Sequence, residues 1–258
     1  MERSGNVLLL TLNRPEKKNA FNLAMIDAWA QALVEARTDP SVHVIVETGA
    51  GDAFCSGGDV SDMAQRTSDV SQVVQEKNFL FEHIHRIALA LEDLDKPVIA
   101  AINGPAVGAG MDLAMITDLR LMADTARLSE GYVKVGLVPG DGGAYYLPRL
   151  VGISKALELF WTGDFITAEQ ALQMGIVNHV VPKESLMDET MALANRIAEG
   201  PQLAIRMTKR AVYQSYRSDL RTALDLISSH LAVVSSSKDH EEGVRAFLEK
   251  RKPHFTGA

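Results

Sequence analysis

The sequence predicts an α/β domain with a helical layer at its C-terminal end, and three observations carry that expectation. Short β-rich runs alternate with turn-rich loops and helical patterns through the first half of the chain. After about Gly152 the strand signal fades and helical periodicity dominates. The 258 residues, 47% hydrophobic and 23% charged, suffice for one sizeable core and exclude disordered, collagen-like and disulfide-rich classes.

Val7 to Leu12 reads as a strand stopped by Asn13-Arg14-Pro15, and apolar spacing predicts a helix over 22–38. A second strand, Val42 to Glu47, runs into turn-rich Thr48-Gly49-Ala50-Gly51-Asp52, with a helical stretch following from about Val70 to Leu94. Val98 to Ile102 is the third strand, followed by glycines and another helix. Beyond it, helical patterns cover 152–160, 167–174, 183–198, 201–216, 218–234 and 239–250. Asp39/Pro40 and Gly200/Pro201 read as turns rather than linkers, and no repeat of fixed period is present. Residues 1–258 therefore read as one domain: a core over about 1–195 and a helical region over about 196–258. That region packs on its own core or on another copy, with equal claim from sequence.

The balance of 26 basic and 33 acidic residues leaves a net charge of -7, so no overall positive field attracts nucleic acid or an anionic membrane. Pro97 to Thr117 is the most membrane-like stretch, but Asn103, Pro105 and Asp112 interrupt it, whereas a spanning helix needs about 20 largely apolar residues. A buried core segment is expected there. The single cysteine, Cys55, cannot form an internal disulfide, and Met1-Glu2-Arg3-Ser4 lacks the arrangement of a signal peptide, so a cytoplasmic location is expected. His83 and His85 are two apart on a predicted helix and cannot form an i, i+4 metal pair; no metal is expected.

Two loops concentrate small residues where a strand gives way to a helix: Ala53 to Asp59 and Asn103 to Asp112. Glycine lets a ligand approach the main chain closely. Gly108 to Asp112 should form the first turn of a helix, whose unpaired N–H groups and positive dipole end favour a negative oxygen. An N–H from the first loop aimed at the same spot would complete a site for a carbonyl gaining negative charge, each donor contributing roughly 2.7 to 4 kcal/mol. Taken singly, such glycine-rich turns usually only shape the chain. Cys55 adjoins this loop without a nearby histidine to activate it, and burial is the usual fate of a lone cysteine.

Four segments, Leu12 to Phe21, Phe54 to Asp59, Asn103 to Leu113 and Gly136 to Gly143, resemble the crotonase (enoyl-CoA hydratase/isomerase) superfamily in order and spacing, across essentially the whole chain. The resemblance implies a spiral of ββα units, a C-terminal helical trimerisation region and a homotrimer or dimer of trimers. It also implies acyl-CoA as substrate, with coenzyme A part of that substrate and no tightly bound cofactor. By the same resemblance the oxyanion donors are the backbone N–H groups of Ser56 and Ala109. Phe54 and Ser56-Gly57-Gly58-Asp59 belong to the thioester loop, and Phe247, Lys250 and Lys18 lie near the nucleotide of coenzyme A. A lone lysine such as Lys250 is more commonly a solvated residue.

Hydratases of the family use two glutamates, whose positions map onto Asp112 and Tyr132. Asp112 keeps a carboxylate that is one methylene shorter. Tyr132 is too weak a base at neutral pH without tuning, and a role closing the acyl pocket competes with catalysis. Glu130 lies two residues earlier, on the same face if the segment is extended, and Asp141 lies in the next loop. The expected order of proton carriers is Asp112, Asp141, Glu130. Enoyl-CoA hydration is the expected reaction; double-bond isomerisation, or acyl-CoA hydrolysis or decarboxylation, is the alternative, and a catalytically silent acyl-CoA-binding subunit is the non-enzyme alternative. One branch of the superfamily binds RNA through a lysine-rich early helix, but Asn22 to Thr38 carries only Arg37. The acyl pocket is expected to be shaped by Ala64 to Val74 and the helix that follows.

Overall fold

The computed structural model describes residues 1–59 and 70–257. Its strands are β1 (Glu2–Ser4), β2 (Val7–Leu12), β3 (Val44–Gly49), β4 (Val98–Ile102), β5 (Ala106–Val107), β6 (Leu119–Ala123), β7 (Arg127–Ser129), β8 (Ile166–Thr167) and β9 (His179–Val181). The larger sheet has the order β1-β2-β3-β4-β6-β9, and the smaller has the order β5-β7-β8. From β2 onward the larger sheet is parallel, and only the β1–β2 hairpin is antiparallel. Parallel strands covered on both faces are largely apolar. All of β3 and β4 is accordingly buried.

The helices are α1 (Leu23–Thr38), α2 (Val70–Phe79), α3 (His85–Glu92), α4 (Ala109–Ile116), α5 (Gly143–Val151), α6 (Ile153–Thr162), α7 (Ala168–Gln173), α8 (Leu186–Ala198), α9 (Gln202–Ser215), α10 (Leu220–Ser235) and α11 (Lys238–Leu248). In β4–β5–α4 the chain gives one strand to each sheet and then a helix, and β6–β7 repeats the step; this is the ββα spiral expected from the resemblance. Helix α1 buries Ile26, Trp29, Ala30, Leu33 and Ala36, and Asn22 caps it by accepting from the Met25 N–H at 3.0 Å. The expected strand at Val42 starts at Val44 instead.

The single helix expected over 70–94 is divided: a π-helical turn, Leu80–Ile84, separates α2 from α3. Such wide turns displace the helix by one residue and recur at functional sites. Leu80 and Ile84 here face the cleft described below. Residues 64–69 of the segment expected to shape the acyl pocket lie outside the described residues. Strands β6 to β9 were not foreseen from sequence; they are two to five residues long, and two of them fall after Gly152, among helical patterns.

The C-terminal helices follow the expected pattern. Helix α9 is fastened to its own core by a polar ladder. Arg206 makes a two-pronged pair with Asp95 at 2.9 and 2.8 Å, Lys209 donates to Asp118 at 2.7 Å, and Tyr213 donates to Asp118 at 2.9 Å. Beyond α9, Arg217 pairs with Glu92. Helix α10 leaves Leu220, Leu224, Ile227 and Leu231 exposed in one stripe, and α6 leaves Ile153, Leu157 and Trp161 in another. Residues 97–117 form β4, a loop, β5 and α4 in the core, and among the described residues no helix is long and apolar enough to cross a membrane.

Candidate active site

The two small-residue loops meet because they are paired. Cys55 bridges Ala106 in parallel, with the Val107 N–H donating to the Cys55 carbonyl at 2.9 Å. On the other side, Phe21 bridges Gly58 through the Phe21 N–H to Gly57 carbonyl bond (2.9 Å) and the Asp59 N–H to Phe21 carbonyl bond (3.1 Å). The loops approach so closely that a Cβ on Gly110 would lie 2.1 Å from the Cys55 carbonyl oxygen. Buried Asn19 holds the entry: its Nδ2 donates to the carbonyls of Ala50 (2.9 Å) and Ala53 (2.8 Å), and its Oδ1 accepts from the Arg14 N–H (2.9 Å). Nothing in the sequence marked Asn19 beyond its place in a family segment.

The amides correct one expectation. The Ser56 N–H donates to the Lys18 carbonyl at 3.0 Å, so it is already spent. In the same loop it is the Gly58 N–H that has no acceptor among the described residues, and the Ala109 N–H, at the first position of α4, has none either. Gly58 and Ala109 each stand three residues downstream of the Cys55–Ala106 bridge, and both line one cleft of about 480 Å³. Gly57, with φ of 88°, supplies the left-handed turn between them, and a Cβ there would sit 3.5 Å from the Ala109 nitrogen. Helix α4 begins at Ala109 as expected, its positive end facing the cleft.

The rest of the cleft is lined by apolar Phe21, Leu23, Ile26, Phe79, Leu80 and Ile84 and by Tyr132 and Asp141. Asp112, the first expected proton carrier, is fully buried and does not line the cleft. It lies behind Tyr132, whose hydroxyl is 2.7 Å from Asp112 Oδ2 and 2.8 Å from Asp141 Oδ2. The Asp141 N–H also donates to Asp112 Oδ2, at 3.2 Å. A Cβ on Gly143 would fall 2.0 Å from Asp112 Oδ1, so any side chain there would displace the Asp112 carboxyl.

Glu130 is buried beside Asp112 and does not line the cleft. It precedes a 3-10 turn, Gly131–Val135, rather than lying in an extended segment. Burial, then the charge of Asp112, pushes the Glu130 carboxyl up to about 10, so it carries a proton. Burial also raises Asp112. Asp141 is pushed up to about 6 by burial and by Asp112, against the lowering effect of the Tyr132 hydrogen bond. Burial and both carboxyls keep the Tyr132 phenol protonated. Asp112 Oδ1, Asp141 Oδ1 and both Glu130 oxygens are buried without a hydrogen-bond partner among the described residues.

The expected coenzyme A contacts divide. Ser56, Gly57, Gly58 and Asp59 line the cleft. Phe54 is fully buried in the core and cannot touch a ligand, because it anchors the loop from beneath. Lys18 is exposed and pairs with Asp52 at 3.6 Å, while Asp59 pairs with Arg14 at 3.2 Å. Phe247 and Lys250 are exposed at the end of α11 and do not line the cleft. Cys55 is buried, its Sγ donating to the Asn19 carbonyl at 3.2 Å, and burial pushes its thiol up to about 12, which makes it a structural residue.

A family model described as "Enoyl-CoA hydratase/isomerase" matches residues 2–258. The chain is 36% identical over 256 residues to a crotonyl-CoA hydratase of Syntrophomonas wolfei subsp. wolfei, covering 99% of this chain and 96% of that one. It is 37% identical over 252 residues to a 1,2-epoxyphenylacetyl-CoA isomerase of Escherichia coli, covering 97% and 95%. The solved structure of an enoyl-CoA hydratase from Bacillus anthracis superposes with a TM-score of 0.92 at 33% identity, over 100% of this chain and 98% of that one.

Proposed function

We propose, for a chain that belongs to the enoyl-CoA hydratase/isomerase family, that the cleft binds an enoyl thioester of coenzyme A and that Asp141 moves its proton. The carrying observation is that two unspent amides, Gly58 and Ala109, line the same cleft as Asp141. Removing a proton next to a thioester carbonyl places negative charge on the oxygen, and preorganised N–H donors are strongest where that charge develops. Asp112 acts through Tyr132 rather than on the substrate.

Two reactions share the family name, water addition and double-bond migration. Tyr132 favours migration, because its hydroxyl fills the place between the Asp112 and Asp141 carboxyls where a water held by two carboxylates would sit. A single cleft-facing carboxyl suffices to take a proton from one carbon and return it to another. Lys18, whose carbonyl accepts the Ser56 N–H, and Phe247 and Lys250 at the end of α11, are the proposed contacts for the nucleotide. The exposed apolar stripes on α6 and α10 are proposed as contacts between copies, in keeping with a homotrimer, alone or paired.

The test is to incubate the protein with 2-enoyl- and 3-enoyl-CoA thioesters of several chain lengths, following hydration and migration separately. Ala109→Pro sharpens it, since proline is tolerated at the first helical position yet removes the N–H. A fall in kcat of about a hundredfold to a thousandfold with an unchanged melting temperature is expected. Full activity in this variant would discard the amide assignment.

A further inference from the structure

Tyr132 Oη lies within hydrogen-bond distance of two carboxyls, 2.7 Å from Asp112 Oδ2 and 2.8 Å from Asp141 Oδ2. A phenol has one hydrogen to donate. It therefore donates to one carboxylate, and the second contact is a hydrogen bond only if the other carboxyl is protonated and donates to the phenolic oxygen. Were both carboxyls ionised, one of these contacts would set lone pairs against lone pairs in a buried place, where like charges already oppose each other. The contacts are both satisfied when Asp112 and Asp141 hold one proton between them across a neutral phenol.

Two resting places are open to that proton. Asp141 is faced by Asp112 from α4, by Tyr132 and Glu130 from the 3-10 turn and its preceding residue, by His85 from α3, and by Cys55 from the thioester loop. Asp112 is the deeper of the two carboxyls and is fully buried, whereas Asp141 opens onto the cleft. In the state with the proton on Asp112, the phenol donates to Asp141 and Asp141 is a base; in the other state Asp141 carries the proton and is an acid.

We propose that Tyr132 relays this shared proton, so that Asp141 can be presented to the substrate as base or as acid while the charge of the buried cluster stays constant. The inference rests on the enoyl-CoA reading of the cleft. In the hop, the carboxylic O–H bond of Asp112 breaks as its proton passes to the phenolic oxygen. The phenolic O–H bond breaks as that proton passes to Asp141. Asp112 becomes the carboxylate, Asp141 the acid, and the phenol is neutral before and after; no co-reactant is consumed. The base form opens double-bond migration, and the acid form protonates an enolate made by bond cleavage rather than by deprotonation. In this scheme Tyr132 and Asp112 are positioning residues for Asp141.

Two measurements decide it. With aspartate labelled with carbon-13 at Cγ, NMR of the intact protein at neutral pH should find one of the two site carboxyls protonated, the signals being assigned with Asp112→Asn and Asp141→Asn. Both carboxyls ionised at neutral pH would overturn the proposal, whether or not the protein turns over a substrate. In kinetics, Tyr132→Phe keeps the ring and removes the hydroxyl. Its kcat/KM should fall roughly tenfold to a hundredfold, with the ascending limb of the pH profile moved to higher pH because ionised Asp141 has lost its donor. A profile that superimposes on that of the unaltered protein after scaling would equally overturn the relay. Failure of the unaltered protein to act on any enoyl-CoA would instead sink the substrate reading and leave the NMR result standing by itself.

Discussion

At the level of single residues, Asp141 is the proposed proton carrier, and its protonation would set the working range. The carboxyl is pushed up to about 6, so it is a base above that pH and is progressively neutralised below it. kcat/KM should therefore rise with pH through about 6 and level off on the alkaline side. Asp141→Asn should lower kcat by about 10² to 10⁴-fold with little change in KM, because the interaction lost belongs to the transition state. Asp112→Asn should cost less, since Asp112 is separated from the cleft by Tyr132; equal losses in the two variants would place Asp112 on the substrate after all. The sequence exposed all four members of this cluster but not their order of access. Spacing places Asp112 on the first turn of α4, yet which side of Tyr132 it occupies depends on the course of the 3-10 turn at Gly131–Val135.

Among the elements, the loops depend on cross-ties that composition does not reveal. The donor at Ser56 was misassigned because sequence shows that a loop is rich in glycine, not which of its amides is already bonded to Lys18. By contrast, α4 starting at Ala109 was legible, because a glycine followed by small and apolar residues marks a helix opening. Asn19→Ala removes two hydrogen bonds to the 50–53 turn and one from the Arg14 N–H, and should destabilise the fold by roughly 1 to 3 kcal/mol, measurable by urea titration. The broken helix over 70–92 escaped sequence reasoning because no glycine or proline marks the π-helical turn at Leu80–Ile84.

For the whole molecule, the alternation of strands and helices was legible early, whereas the division into two sheets depends on strands as short as two residues. Buried Glu47 on β3 accepts from the Trp29 indole at 2.7 Å and is pushed up to about 7, mainly by burial. Below the ordinary carboxylate range both folded and unfolded states hold this proton, so Glu47 has no effect there. As pH rises toward about 7 the unfolded chain releases it first, and stability declines. Glu47→Gln keeps an acceptor for Trp29 and should flatten that decline, gaining roughly 3 kcal/mol on the alkaline side and almost nothing in acid. Paired melting curves at the two pH extremes would check it. The proposed trimer should come apart in Leu224→Asp or Trp161→Asp, read as a drop in mass by light scattering.

Cys55 has one practical consequence at this scale. Because it is the chain's single thiol and is sealed beneath the meeting point of two loops, a maleimide can reach it only when those loops separate. The speed of its alkylation is therefore a built-in clock for how often the protein breathes.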